Sequence, residues 1–525
     1  MARSTTALFG AVLAVAMGAA YPLAQAPTAQ SVLQAAAQAM GTNSLRCITY
    51  TGAGYVGLVG QSYDIREDWP RVELAQYSRT INFEERSSRE ERVIRQGSYP
   101  ARGGGGIPIQ GEQRQVEHVV DRFAWNQPGA MPVPAPAAAD VRQLDMWLSP
   151  HGFIKAAMMP GANPVLITRY EGGALGALVS TRVRRLNIIS ITVLGKYRVN
   201  GTINDQNLVE RVQTWVPNPV RGDMNYEGEY TQWRDVSGVK WPGNFHHHQD
   251  WDDETQAPNY NGGHNRITFN VKDITVNQCA QTPVPDAVRT ATVPPVRVET
   301  TKMAEGVFYL TGGSHHSVAV EFRDFTALVE APQNEARTLA VIEAVYRAIP
   351  DKPIRYVVNS HHHFDHLGGI RTAFHEGATI VTHRSNRDFY KQEVLTYAPW
   401  TLQPDRLSLH PPTEFAEGYQ LETVEMRGTI SDGTRNLDVY YIQGSPHAEG
   451  MLMAYLPRER ILIEADVYTP PAPDAQMPAT PPPAAVNLYD NVIAYRLDVA
   501  TIAALHGRSV PWSDFLQFVG KGGTQ

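Results

Sequence analysis

Cysteine is all but missing from this chain: 525 residues hold two, Cys47 and Cys279. They lie too far apart for a C-x-x-C metal knuckle. In an exported chain they can form a disulfide, and the alternative is a pair of buried free thiols. Net charge is also small, −7 over the whole chain, with both signs well mixed. That excludes the basic footprint of a nucleic-acid binder and a polybasic membrane patch, so neither nucleic acid nor a stably inserted membrane is an expected partner. No apolar run reaches the length of a membrane-spanning helix. No internal repeat is present.

The first residues read as a targeting segment. Arg3 supplies the positive charge, "ALFGAVLAVAMGAA" (7–20) the short apolar run, and "AQA" (24–26) a small-residue cleavage site. The expectation is a signal peptide over 1–26 and a periplasmic or secreted protein. No cysteine lies just beyond the apolar run, which argues against a lipoprotein.

The remaining chain has two textures. From 30 to 285, a short helical opening ("SVLQAAAQAM") leads into long alternating segments such as "RTINFEERSSREERVIRQ" and "HNRITFNVKDITVN". β-branched and aromatic residues among charges predict an antiparallel β-rich domain. "GGGG" (103–106) and "MPVPAPAAAD" (131–140) read as loops. In "DRFAWNQPG" and "YTQWRDVSGVKWPGNF" the spacing of aromatics and turns resembles the strands of periplasmic lipoprotein-carrier-like half-barrels. A proline-rich boundary, "NQCAQTPVPDAVRTATVPPVRVET", separates this half from a second domain over 295–520, where strand and helix alternate.

Histidine is sparse, 17 in all, yet "VVNSHHHFDHLGG" (357–369) places four with an aspartate in six positions. Val357 and Val358 end a buried strand. Beyond it His361 and His363, two apart in an extended loop, can converge on one cation, while Asp365 and His366 can face a second. His362 should point away. Gly368 and Gly369 would permit a tight turn into the next helix. The other triplet, His246 to His248, has neither aspartate nor glycine turn and reads as part of a strand.

Together with three later segments, the cluster resembles the metallo-β-lactamase-fold hydrolase superfamily. "YYIQGSPHAEGMLMAYLP" offers His447 after a strand and small-residue turn. "RERILIEADVYTP" ends a strand in Asp466, and "IAALHGRS" supplies His506, all in the order of that superfamily. The resemblance implies an α+β fold, an αββα sandwich preceded by the β-rich domain. It implies two divalent ions, one held by His361, His363 and His447, the other by Asp365, His366 and His506, with Asp466 bridging. Imidazoles and carboxylates suit Zn²⁺, and Fe or Mn fit the same donors. Many zinc β-lactamases carry cysteine where Asp466 stands. That departure leans toward the esterase, lactonase and glyoxalase-like branches.

The expected reaction is hydrolysis of a small organic ester or lactone by a water that both ions activate, with Asp365 orienting it and moving its proton. A β-lactamase-like amidohydrolase is the alternative within the class. A ligand-binding protein on an inactive hydrolase scaffold is the alternative outside it, disfavoured because all seven candidate ligands are kept. His315 and His316 in "TGGSHHSVAVEF", and Tyr489 and Asp490 in "NLYDNV", are unassigned candidates for substrate contact. The β-rich half and the proline-rich stretch 469–485 are expected to wall the pocket and set the substrate, with the metal site alone setting the reaction.

Overall fold

Alternating burial organises the first half of the chain. In the strand Cys47–Gly57, Ile48 and Tyr50 are buried while Thr51 and Ala53 face outward, and the strand pairs with Arg71–Asn82 on one side and His264–Val276 on the other. Thirteen strands, all antiparallel to their neighbours, form one sheet in which the first strand lies beside the last. The helices Ala139–Leu148 and Pro150–Ala157 lay Leu144, Trp147, Phe153 and Ile154 into the core of this sheet. The computed structural model describes residues 26–171, 184–250, 264–396, 399–411 and 420–522. All of the expected signal peptide except Ala26 lies outside the described residues. No helix among them is long and apolar enough to cross a membrane.

The second half contains two further sheets. One has seven strands, from Glu299–Ala304 to Leu421–Val424; its first strands are antiparallel and its last four, from Thr326–Val329 onward, are parallel. The other has six, from Arg427–Ser431 to Ser509–Pro511. Val318 and Val320 point inward onto Val439 and Leu452 of the second sheet, while Ala319 and Leu328 point outward under Val341 and Val345 of the helix Glu335–Ala348. Asn334 caps that helix by accepting from the Arg337 amide. On the far side Leu488 and Val492 of the helix Pro483–Ala494 and Phe515 cover the six-stranded sheet. Each half is thus a distinct packing solution: a large antiparallel sheet with helices and a two-stranded ribbon (Arg234–Val236 with Val239–Trp241), then an αββα sandwich.

Local structure departs from the sequence reading in three places. "MPVPAPAAAD" is not all loop: it contains a two-residue strand, a 3-10 turn, and the start of the helix Ala139–Leu148. The proline-rich boundary, which has no helical periodicity in the sequence, contains the short helix Asp286–Arg289, whose Val288 packs with Val284 on Trp125. Gly368 and Gly369 have ordinary negative φ, −61° and −110°. Their requirement is space: a Cβ would lie 1.8 Å from the Gln333 carbonyl oxygen at Gly368 and 1.7 Å from Thr338 Oγ1 at Gly369. Close packing, rather than turn geometry, demands glycine there.

Cys47 and Cys279 are joined in a disulfide spanning 232 positions. It clasps the first strand of the large sheet to the chain just past the last, where Asn277 Oδ1 also accepts the Arg46 amide at 2.7 Å. Opening so long a loop in the unfolded state sets an upper limit of about 5 kcal/mol on the stabilisation. Cys47→Ser should therefore destabilise this half within that limit, read as a lower denaturant midpoint. Thiol counting on unreduced, denatured wild type should find no free thiol.

Candidate metal centre

The strand Ile354–Val358 is paired parallel with Thr326–Val329 and Thr379–His383, and the cluster leaves its C-terminal end. Functional groups in such sheets gather at that edge. His361 to His363 lie in the loop; the short turn Phe364–Leu367 carries Asp365 and His366. His447, Asp466 and His506 arrive from loops after strands of the second sheet.

These side chains converge. His361 Nε2 lies 2.9 Å from His363 Nδ1 and 3.2 Å from His447 Nε2. His366 Nε2 lies 3.3 Å from His506 Nε2. Asp466 stands between the two sets. Its Oδ2 is 2.9 Å from His447 Nε2 and 3.6 Å from His361 Nε2. Its Oδ1 is 2.6 Å from His506 Nε2 and 3.1 Å from His366 Nε2. Three groupings have ligand atoms mutually within 4.8 Å: His361, His363, His447 and Asp466; Asp365, His366 and Asp466; and His315, His366 and His506.

The opposite ring nitrogens explain the chemistry of the inner ones. His363 Nε2–H donates to the Ser62 carbonyl at 2.9 Å, His366 Nδ1–H to Glu330 at 3.1 Å, and His506 Nδ1–H to the Ser314 carbonyl at 2.9 Å. Carbonyls and carboxylates only accept, so these outer nitrogens carry the protons and the inner nitrogens keep lone pairs when neutral. The lone pairs of His366 and His506 then face each other across 3.3 Å, and the buried Asp466 Oδ1 has no aligned hydrogen-bond donor. A cation among them removes that conflict. The donor set fits a divalent metal.

Electrostatics agree. Burial, reinforced by neighbouring imidazoles, holds His361 and His363 well below the usual histidine range, in the neutral form that binds metal. Burial also opposes charge on His366, but Asp466 and Glu330 outweigh it and raise its pKa well above normal. Asp466 is likewise kept ionised against burial by His366 and His447. Asp466 and Glu330 sit at φ of 63° and 72°, in the left-handed region that side chains rarely adopt, so the backbone is strained where both carboxylates are aimed.

The β-rich half reaches further than the pocket mouth. Besides its bond to His363, the Ser62 carbonyl accepts His362 Nε2–H at 2.9 Å, which turns His362 away from the cluster. Gln61 Nε2 donates to Asp365 Oδ1 at 2.9 Å, and His315 Nε2 lies 3.1 Å from Asp365 Oδ2. The "GGGG" loop packs alongside: a Cβ on Gly104 would lie 2.6 Å from the His363 ring and 2.0 Å from Gln61 Oε1. Burial opposes ionisation of Asp365, yet the His315 bond and the charge of His366 lower its pKa far below the usual range. A cleft of about 1130 Å³ opens over Asp365, His447, Asp466 and His506. Leu58, Val59 and Gln61, Gly105 to Pro108 and the proline-rich stretch 478–484 supply its walls.

The remaining candidates separate. His315 joins the cluster. His316 is buried against the Tyr309 hydroxyl and the Gly313 carbonyl, a structural role. Tyr489 stacks on Trp512 and Asp490 is exposed; neither lines the cleft. Glu330 is a site residue that the motif pattern does not single out, although "TALVEAP" ends an apolar strand in an acid, the same signal that marks Asp466. The Ser62 carbonyl has no such signal, because a backbone acceptor carries no residue identity.

Residues 310–467 match the family model described as the metallo-beta-lactamase superfamily. No curated protein matches the chain. Among solved structures, a metallo-beta-lactamase from Pontibacter korlensis is similar at 17% identity and a TM-score of 0.32, covering 44% of this chain and 100% of that one. One from Hirschia baltica shares 19% identity at a TM-score of 0.31, over 43% and 97% of the two chains. The mono-zinc form of FIM-1 from Pseudomonas aeruginosa shares 17% at 0.31, over 44% and 96%. Residues 310–467 are thus a metallo-β-lactamase superfamily domain, which supports a metal-dependent hydrolase, and a β-rich half precedes it.

Proposed function

We propose that this is an exported hydrolase with two divalent ions, acting on a neutral organic ester or lactone. The observation that carries the two-ion reading is the position of Asp466, one oxygen toward His361 and His447 and the other toward His366 and His506. His361, His363 and His447 would hold one ion; Asp365, His366 and His506 the other; Asp466 would touch both. Zn²⁺ suits these donors, and Fe or Mn are compatible with them. Such ions supply Lewis acidity and lower the pKa of a water toward neutrality. Asp365, fixed on both oxygens by Gln61 and His315, is oriented to position the attacking water and relay its proton. Export is supported by the N-terminal sequence pattern and by the disulfide.

The cleft supports a neutral substrate over a carboxylate-bearing β-lactam. Its described lining contains no lysine or arginine, and its only acids are Asp365 and Asp466. Leu58, Val59, Ile107, Val467 and Phe518 offer apolar contact instead. An anionic substituent would have no cationic side chain to meet.

Elemental analysis should find close to two metals per chain, and chelation should abolish hydrolysis until Zn²⁺ or Mn²⁺ is returned; a reconstituted protein without metal would end the proposal. Asp466→Ala should lower kcat by about 10²-fold or more, the scale of losing one electrostatic stabiliser. Gln61→Ala should weaken metal binding by about 10- to 100-fold, the usual cost of losing a partner of a metal ligand. Competition with a chromogenic chelator measures this, and unaltered affinity would reduce the β-rich half to a pocket wall. Finally, kcat/KM on a neutral aryl ester should exceed that on its carboxylate-bearing analogue by at least about tenfold, the scale of one unpaired charge in a buried site. Equal rates would overturn the substrate assignment while leaving the metal chemistry intact.

A further inference from the structure

A second cavity lies within the β-rich half, against the large sheet and closed by the helix Ala139–Leu148. Its volume is about 280 Å³, near the lower end of small-molecule sites, which begin at roughly 300 Å³. It is built from a different set of residues than the metal cleft.

Charge in this cavity does not balance. Four arginines and three acids line it. Arg79 pairs with Asp145 at 2.6 Å. Arg92 pairs with Glu90 at 3.2 Å and Glu117 at 3.1 Å, and Arg142 reaches Glu117 at 3.5 Å. All three acids are thereby engaged. Arg266 is left with one long bond, 3.4 Å to the Gly57 carbonyl, and no carboxylate partner among the described residues. Burial, then the neighbouring charge of Arg92, lowers its pKa: its surroundings disfavour the cation.

A second donor waits beside it. His247, 8% exposed, has Nδ1 engaged with the Tyr226 hydroxyl at 2.7 Å and Nε2 without a partner. A phenol O–H is the stronger donor of the two and an imidazole nitrogen the stronger acceptor, so Tyr226 donates to Nδ1, and Nε2 carries the proton with nothing to give it to. His247 lies opposite Ile267, the neighbour of Arg266, on paired strands. Around them the rings of Tyr50, Phe245 and Phe269 stack at 4.7 to 6.1 Å between centroids, an apolar wall beside the two donors.

We propose that this cavity is a second ligand site, for a small monocarboxylate with an aromatic or compact apolar body. The carboxylate meets Arg266 and accepts from His247 Nε2–H; the body packs on the Tyr50, Phe245 and Phe269 wall. Charge-assisted bonds of this kind are the strong ones, and only an anion makes both. A neutral or cationic ligand would leave Arg266 uncompensated.

The test titrates the full-length, metal-loaded protein calorimetrically with 4-benzoylbenzoate and with its neutral amide, and then photo-cross-links the acid. The acid should bind saturably, at least about tenfold tighter than the amide, and Arg266→Gln should weaken it by a similar factor with metal content unchanged. Cross-links should map to the strands Gly222–Thr231 or Asn244–Gln249. If Arg266→Gln does not fold, cross-link mapping on the native protein decides alone. Absent binding, equal affinity for acid and amide, full binding by Arg266→Gln, or cross-links confined to the metal-site loops would each overturn the proposal.

Discussion

Everything at the metal centre depends on what the outer edge of each imidazole touches. A neutral histidine has one proton for two nitrogens, so an acceptor on one side leaves a lone pair on the other. Ser62, Glu330 and Ser314 supply those acceptors from three separate parts of the chain, and the inner nitrogens of His363, His366 and His506 face a common space as a result. Without these fixed acceptors the same rings could turn or exchange tautomers, and their convergence would be lost.

That arrangement is unfavourable on its own. The inner nitrogens of neutral His366 and His506 oppose lone pair to lone pair at 3.3 Å, and two carboxylates sit on strained backbone. Fully buried strands on either side hold the loops that carry them, so the sandwich core offsets the strain of the site. Glu330 illustrates the coupling. Its carboxylate accepts the Ser360 amide at 2.6 Å and the His366 ring at 3.1 Å, locking the loop and orienting one of its histidines together.

The two halves of the chain are joined through this chemistry as well as through a surface. Gln61 and Ser62 touch residues of the cluster directly, and Gly103 donates its amide to the Pro446 carbonyl at 3.0 Å, one residue before His447. A shift of the β-rich half would therefore be felt at Asp365, His363 and the chain leading to His447. The same half keeps a separate, charge-imbalanced cavity on its own sheet. Its aromatic and arginine content contrasts with the cleft over the metal centre, whose described lining has no cationic side chain.

Much of this is legible in the sequence because local chemistry speaks locally. Alternation in the first half and apolar runs in the second name the strands; H-x-H-x-D-H, with later His447, Asp466 and His506 at strand ends, names seven side chains that the structure brings together. Gly368 and Gly369 stand out in the sequence as turn residues, but only packing shows that neighbouring atoms fill the space of a Cβ. Tertiary structure alone decided the rest. Acceptors such as the Ser62 carbonyl lie 301 positions from the histidine they orient, and backbone oxygens are the same in every residue. The pairing of Cys47 with Cys279, the recruitment of His315, and the unmatched charge of Arg266 are likewise facts of proximity. Periodicity and motif spacing report what a segment is; which distant group satisfies its hydrogen bonds and charges is settled only when the chain has folded.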